Sequence, residues 1–345
     1  MFKTLLSLFR STDKNSLEAL KQHAEQGDAE AIYQLGRVYA LGKGEEVDYD
    51  KAMTLYHRAN ALGYPLAANN IGALYDNMGE PEKSVEWFEQ GIRQGDKRAT
   101  INLGRFYLLG IGVEQDTFKG MQMLEKYDNN GLASYLLAQI YDGVIGYDVP
   151  INYPKALEYY LLAEKNKQDL PNKDLMTLYN NLGTLYNAHE DIPTNYVEAQ
   201  KYLTKAAEMG FPHAMYGLAN LHGFKGDKKQ AFKWYLKAAE NGLIDAYYYV
   251  GNAYKRGDEI EQNYEDALKW YAAAEQGDAD AQNSLYNRYA KGEGVEQNSE
   301  EAMKWLHRSA DQGHGLAYYN LGFEYSSGVL VKKMSWKRSN GIKKR

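Results

Sequence analysis

The chain has 345 residues, of which 44% are hydrophobic and 25% charged, with no cysteine and a net charge of −6. The missing cysteine excludes a disulfide framework, a thiolate nucleophile and a cysteine metal site, and no stretch approaches the ~18 consecutive apolar residues of a membrane span. The last fourteen residues hold seven Lys/Arg and no acid, leaving −13 on the remainder, which argues against nucleic acid as a partner of the body.

The chain begins "MFKTLLSLFRSTDKN", a short apolar run without a small-residue cleavage site. Residues 1–15 are therefore read as a helical leader rather than a secretory signal, and the protein as cytoplasmic. "SLEALKQHAEQG" comes next, an apolar helical pattern without a partner, and is expected to form an N-terminal cap.

From there one pattern recurs. "AIYQLGRVYALGKG", "AANNIGALYDNMG", "ATINLGRFYLLGIG", "ASYLLAQIYDG", "LYNNLGTLYNA", "AMYGLANLHGF", "AYYYVGNAYKRG", "AQNSLYNRYAKGEG" and "AYYNLGFEYSSG" share the template A-x-x-x-L-G-x-x-Y-x-x-G. Its aliphatic anchors are Leu35, Ile71, Leu103, Leu137, Leu182, Leu218, Val250, Leu285 and Leu321, spaced by 36, 32, 34, 45, 36, 32, 35 and 36 residues. Periods of this length mean stacked supersecondary units. Each is followed by a second amphipathic stretch, such as "DKAMTLYHRANALG", "EKSVEWFEQGIRQG", "KQAFKWYLKAAENG" or "EEAMKWLHRSADQG". Most of these close on a glycine, the residue that tolerates a left-handed helix stop. Alanine and the Leu-Gly pair keep one face slim, so the two helices of a unit can approach closely.

This recurrence over residues 16–331 resembles the Sel1-like repeats, relatives of the tetratricopeptide repeats. The resemblance implies an all-α, right-handed α-solenoid of helix-turn-helix units forming a single domain, with a concave face made mostly by the first helices. Departures are Gly120 in place of the second-helix alanine, His222 in place of tyrosine, Tyr286 in place of glycine, and extra chain around "KNKQDLPNKD" in the 45-residue interval, where irregular stacking is expected. The tyrosines four residues after the anchor (Tyr39, Tyr75, Tyr107, Tyr141, Tyr186, Tyr254, Tyr289, Tyr325) are expected in the core. Trp87, Trp234, Trp270 and Trp305 are expected to pack between repeats.

Chemistry is hard to find. "GKG", "GIGV" and "GEGV" follow helices rather than strands and lack the Lys-Ser/Thr of a phosphate loop, so they are turns. The seven histidines show no metal-ligand spacing, and no Ser/His/Asp set can be nominated. The sequence therefore carries no catalytic, metal or cofactor site, and an enzyme is the least favoured reading.

In the related tetratricopeptide fold, the residue two after the template's first position and the one four further on line the concave groove. Carried over, the groove residues are Tyr33, Arg37, Asn69, Arg105, Tyr135, Gln139, Asn180, Tyr216, Asn220, Tyr248, Asn252, Asn283, Asn287 and Tyr319. Asn amides offer donors and an acceptor to an extended backbone, Tyr gives flat apolar area with a polar tip, and Arg can clamp a carboxylate. The expected function is a non-catalytic scaffold that captures a protein or extended peptide. The alternative, suggested by bacterial relatives of the repeat, is an immunity or inhibitor protein that neutralises a toxin through acidic surfaces.

After "SSGVL" the pattern stops. Residues 332–345 form a basic tail, expected to be disordered, where a second helix belongs. The tail can be encoded so that a shifted frame reads Asp-Glu-Leu-Glu-Ala-Ile-Lys-Trp-Tyr-Lys, the missing helix. The tail is thus open to an origin in a frameshift. Without that helix, Leu321 and Tyr325 would be exposed, and this end is expected to fray or self-associate.

Overall fold

The computed structural model describes residues 14–146, 148–187, 191–257, 260–273, 279–328 and 330. The described residues form α-helices and one 3-10 turn, with no β-strand among them. Two compact units share them, divided between Pro171 and Asn172. The division falls inside the extra chain of the 45-residue interval.

In the first unit, α1 (Lys14–Glu25) precedes four helix pairs. These are α2 (Ala29–Leu41) with α3 (Tyr49–Ala61), α4 (Ala67–Asn77) with α5 (Pro81–Arg93), α6 (Lys97–Leu109) with α7 (Thr117–Glu125), and α8 (Gly131–Tyr141) with α9 (Tyr153–Lys165). The second unit repeats the plan with α10 (Asn172–Asn187) and α11 (Tyr196–Glu208), α12 (Pro212–Phe224) and α13 (Lys228–Glu240), α14 (Asp245–Arg256) and α15 (Tyr264–Ala273), α16 (Ala279–Lys291) and α17 (Ser299–Asp311), then α18 (Gly315–Ser327). Within each unit every helix packs on its chain neighbours, so the contacts are local, as in a repeat solenoid. The cap expected at the N-terminal end is α1, whose Leu20 and Ala24 are buried in one cluster with Ile32 and Leu35 of α2. Residues 1–13, most of the expected leader, and all of 332–345 lie outside the described residues.

One device closes the hairpins. The residue before the second helix caps it with a side-chain oxygen: Asp48 accepts from the Lys51 N–H, Asp116 from Lys119, Asn152 from Lys155, and Asn298 from Glu300 and Glu301. The same residue's own N–H donates back to the carbonyl of the template tyrosine, Asp48 to Tyr39 and Asp116 to Tyr107 at 2.9 Å, Asn195 to Tyr186 and Asn298 to Tyr289 at 2.8 Å. Both ends of the loop are thereby satisfied by one residue. Gly42 and Gly110 end α2 and α6 at φ of 63° and 66°, the left-handed stop that the "GKG" and "GIG" turns require.

The Leu-Gly pair sets how closely the helices approach. A Cβ at Gly36 would lie 2.7 Å from the Tyr56 ring, one at Gly72 2.7 Å from Phe88, and one at Gly251 2.6 Å from Tyr271. In these three pairs the second helix sets one large side chain directly on the glycine of the first, and Tyr56, Phe88 and Tyr271 are all buried. Gly120 is explained in the same way, because a Cβ there would meet Leu108 at 2.7 Å and the Gly104 carbonyl at 2.8 Å. Where Tyr286 replaces the glycine, its hydroxyl donates to Glu324 Oε1 at 2.7 Å, and both residues are buried.

The template tyrosines sit differently from expectation. Tyr141 is buried, but Tyr39, Tyr75, Tyr107, Tyr186, Tyr254 and Tyr289 are half-buried and Tyr325 is exposed. Each stands at the mouth of a hairpin, where a phenol can keep its ring packed and its hydroxyl wet. Lysines of the second helices cover several of the rings: Lys119 lies 3.8 Å from the Tyr107 centroid, and Lys155 lies 4.2 Å from that of Tyr141. Of the tryptophans, Trp305 is buried while Trp87, Trp234 and Trp270 are half-buried.

Candidate functional site

The predicted groove positions divide into two kinds. In the first unit most are engaged with neighbouring helices. Tyr33 is buried between Tyr56 and Tyr64, and its hydroxyl accepts from Asn70 and Arg98. Asn69 is buried and accepts from Asn102 at 2.9 Å, a bond from one first helix to the next. Arg37 reaches Gln34, and Arg105 is paired with Asp76 at 2.9 Å. Tyr135 is buried and accepts from Gln139 at 3.0 Å. A side chain held this way positions helices and offers little surface to a partner.

The second unit varies more. Asn180 bonds its neighbour Asn181, Asn283 is buried and accepts from Asn320 at 3.0 Å, and Asn287 bonds back to the Asn283 carbonyl of its own helix. Tyr319 is 73% exposed. Tyr216, Asn220, Tyr248 and Asn252 are brought together, on α12 and α14. There the first helices and α13 between them enclose a cleft of about 280 Å³, lined by Gly223, Lys228, Ala231, Phe232, Tyr235, Tyr248, Tyr249, Asn252, Ala253 and Arg256.

Its walls are aromatic and mutually locked. Tyr235 and Tyr249 stack at 4.5 Å between centroids, 7° from parallel, and Tyr216 meets both edge-on at 5.5 and 5.7 Å. Tyr248 is edge-on to Tyr249 at 5.5 Å, and Phe232 to Tyr254 at 5.5 Å. Offset and edge-on pairs are the favoured aromatic geometries. The Tyr235 hydroxyl donates to Asn220 Oδ1, and that of Tyr271 to Asn252 Oδ1 at 2.7 Å. Burial pushes the phenols of Tyr216 and Tyr235 well above the ordinary tyrosine range, with neighbouring tyrosines adding to the effect, so both stay neutral donors. Lys228 and Arg256 stand exposed at the edge.

Sequence reasoning missed Tyr235, Tyr249 and Phe232. Tyr235 and Phe232 come from a second helix, which the groove register leaves out. Tyr249 lies one residue beyond the register. The run of three tyrosines at 247–249 was the available signal, since consecutive helical residues point about 100° apart and three rings must cover adjacent faces. A larger, open depression of about 880 Å³ in the first unit is lined by hairpin-loop residues including Gln115, Asp116 and Lys119. Its polar groups are already used locally: Asp116 caps α7, Gln115 donates to the Leu108 carbonyl and Lys119 to the Tyr107 hydroxyl. Among the described residues no group of three or more His, Cys, Asp or Glu is placed to hold a metal, and no helix is long and apolar enough to cross a membrane.

Comparisons with known proteins agree with the repeat fold. The Sel1 repeat model matches residues 29–64, 65–96, 97–126, 131–167, 179–211, 212–243, 244–278, 279–314 and 315–333. A crystal structure of a Sel1 repeat protein from Oxalobacter formigenes is similar, with a TM-score of 0.60 and 26% identity over 92% of each chain. The chitin synthase regulator SKT5 of Saccharomyces cerevisiae is 26% identical over 279 residues, 75% of this chain and 39% of that protein. Chitin synthase regulatory factor 4 of Schizosaccharomyces pombe is 25% identical over 298 residues, 70% of this chain and 46% of that protein. The chain thus spans less than half the length of these curated relatives. Matched repeat by repeat from residue 29 to residue 333, it belongs to the Sel1 repeat family.

Proposed function

We propose that the chain is a non-catalytic scaffold that holds a partner protein by an extended segment, at the tyrosine-asparagine face of α12, α13 and α14. The observation that carries this reading is the cleft itself, where aromatic rings locked against one another line a space open to solvent. Tyrosine is over-represented among binding hot spots because it brings a large rigid area at low entropic cost. Similarity to proteins named as chitin synthase regulators supports a role exerted through another protein.

The test is affinity capture with the full chain, followed by mass spectrometry. Proteins retained by the unaltered chain should be lost with the pair Tyr248→Ala and Tyr249→Ala, and kept with Phe118→Ala, an exposed aromatic in the first unit. Asn252 is a poor choice for this purpose. Its removal takes away the acceptor of the Tyr271 hydroxyl on the neighbouring helix, and so mixes folding with binding. Retention unaffected by the tyrosine pair would refute this face as the capture surface.

A further inference from the structure

We propose that the cleft between α12, α13 and α14 takes one aromatic side chain from an extended acidic segment, its ring beside Tyr235, Tyr248 and Tyr249 and its flanking carboxylates facing Lys228 and Arg256. The inference rests on the scaffold reading and adds the chemistry of the captured segment.

Size comes first. At about 280 Å³ the cleft is below the ~300–1,000 Å³ of small-molecule sites, and suits a single side chain. The walls are apolar in their bodies and polar only at hydroxyl and amide tips. Because stacking and the Asn220 bond already hold Tyr235 and Tyr249, little freedom remains to be lost on binding. Tyr249 is 40% exposed, so part of its side chain stays open to an incoming aromatic.

Charge then selects among aromatic, aliphatic and cationic occupants. Residues 225–237 hold Lys225, Lys228, Lys229, Lys233 and Lys237 against a single acid, Asp227, in a protein whose net charge is negative. Helix dipoles favour acids in the first turn, and α3, α5, α11 and α17 carry them there. The first turn of α13, like those of α7 and α9, has none, and it opens with Lys228 and Lys229. Arg256, in the last turn of α14, supplies a second cation at the cleft. Aromatic clusters also attract lysine or quaternary ammonium groups, but two cations at the mouth repel such ligands and attract carboxylates, with Arg256 able to grip one in two bonds.

A random dodecapeptide library displayed on phage and panned against the full chain tests this directly. Enriched peptides should carry an aromatic residue with Asp or Glu on either side. A synthetic copy of the enriched sequence should bind the double variant Lys228→Glu, Arg256→Glu at least tenfold more weakly. Its affinity for the unaltered chain should fall as sodium chloride rises. Both substituted positions are exposed, and the new glutamate at the start of α13 suits the helix dipole while that in the last turn of α14 opposes it only modestly, so this variant should fold. Tyr249→Ala should weaken the same peptide at least tenfold. Enrichment of basic or purely aliphatic peptides, or acidic peptides indifferent to the charge reversal, would overturn the inference. If such peptides are still lost with Tyr249→Ala, the scaffold reading survives with a different ligand. An unenriched library overturns the inference too, and leaves the scaffold reading to the capture experiment.

Discussion

α4 and α18 are written on the same template and end in opposite conditions. In α4, Asn69 is buried, Ile71 is fully buried, and Gly72 lies under Phe88 with the Ser84 carbonyl 3.1 Å from where a Cβ would be. In α18 the matching residues are Tyr319, exposed; Leu321, half-buried; and Gly322, with nothing within 4 Å of a Cβ. Leu316, Tyr318, Phe323 and Tyr325 are exposed as well. The template therefore specifies which face of the first helix is slim and apolar, while burial of that face depends on a large side chain arriving from the next helix. Single pairs gain little alone, and cohesion comes from neighbours.

The largest effect that could break the comparison is at Gly72. Gly72→Val must displace the Phe88 ring and push against the Ser84 carbonyl, so it should cost about 3 kcal/mol, at the upper end of the overpacking range. Urea unfolding of the variant, followed by circular dichroism, measures it. A loss below about 0.5 kcal/mol would mean that the glycine does not control helix approach.

A second test uses the phenol that the same glycine device buries in the first pair. Tyr56 sits on Gly36, and burial pushes its pKa up to about 12. An unfolded tyrosine ionises near 10. Its contribution is therefore complete below about pH 10, and is lost as pH rises from 10 to 12, because the unfolded chain releases a proton that the folded chain keeps. The slope is about 1.4 kcal/mol per pH unit, giving roughly 2–3 kcal/mol across the window. Unfolding titrations at pH 9, 10 and 11 should show this decline. Tyr56→Phe should lessen its slope by about 1.4 kcal/mol per pH unit, leaving the share of other phenols that burial raises, such as Tyr216, Tyr235 and Tyr271. A decline of equal slope in Tyr56→Phe would assign the alkaline loss elsewhere.

How much of this was legible in the sequence follows from what each feature depends on. The repeat, its helices and its glycine stops are local, and 3.6-residue periodicity with Gly63, Gly95 or Gly242 just past a helix reads them directly. Whether an individual side chain is buried is not local. Tyr39 and Tyr33 are both tyrosines on one helix, yet Tyr33 is enclosed by Tyr56 and Tyr64 of the following segment while Tyr39 lies under Lys51. The groove register names Tyr216 and Asn220 beside Tyr248 and Asn252, of which the last two line the cleft, and it could not show that Asn69 and Asn283 bond to the next first helix, since that depends on Asn102 and Asn320 facing back. The apolar position before the template tyrosine holds Val38, Leu74 and Phe106 in early units but Arg288 and Glu324 in the last two, all of them buried. Spacing alone gives no warning of that switch.

The smallest predicted effect lies at the other end of the comparison and has the opposite sign. Gly322 is in mid-helix, where glycine is worse than alanine by roughly 0.5–1 kcal/mol because the unfolded chain has more conformations to lose. At Gly36, Gly72 and Gly251 that cost is outweighed by close approach, but at Gly322 a Cβ meets nothing. Gly322→Ala should therefore stabilise α18 by about 0.5–1 kcal/mol, read as slower hydrogen exchange of the α18 amides with other helices unchanged. A destabilised α18 would show that some element does lie against this face in solution, and that the contrast with α4 is smaller than it looks. Because the Gly72 and Gly322 substitutions probe one template position, their opposite signs would separate what the repeat sequence demands of a helix from what a neighbour demands of it.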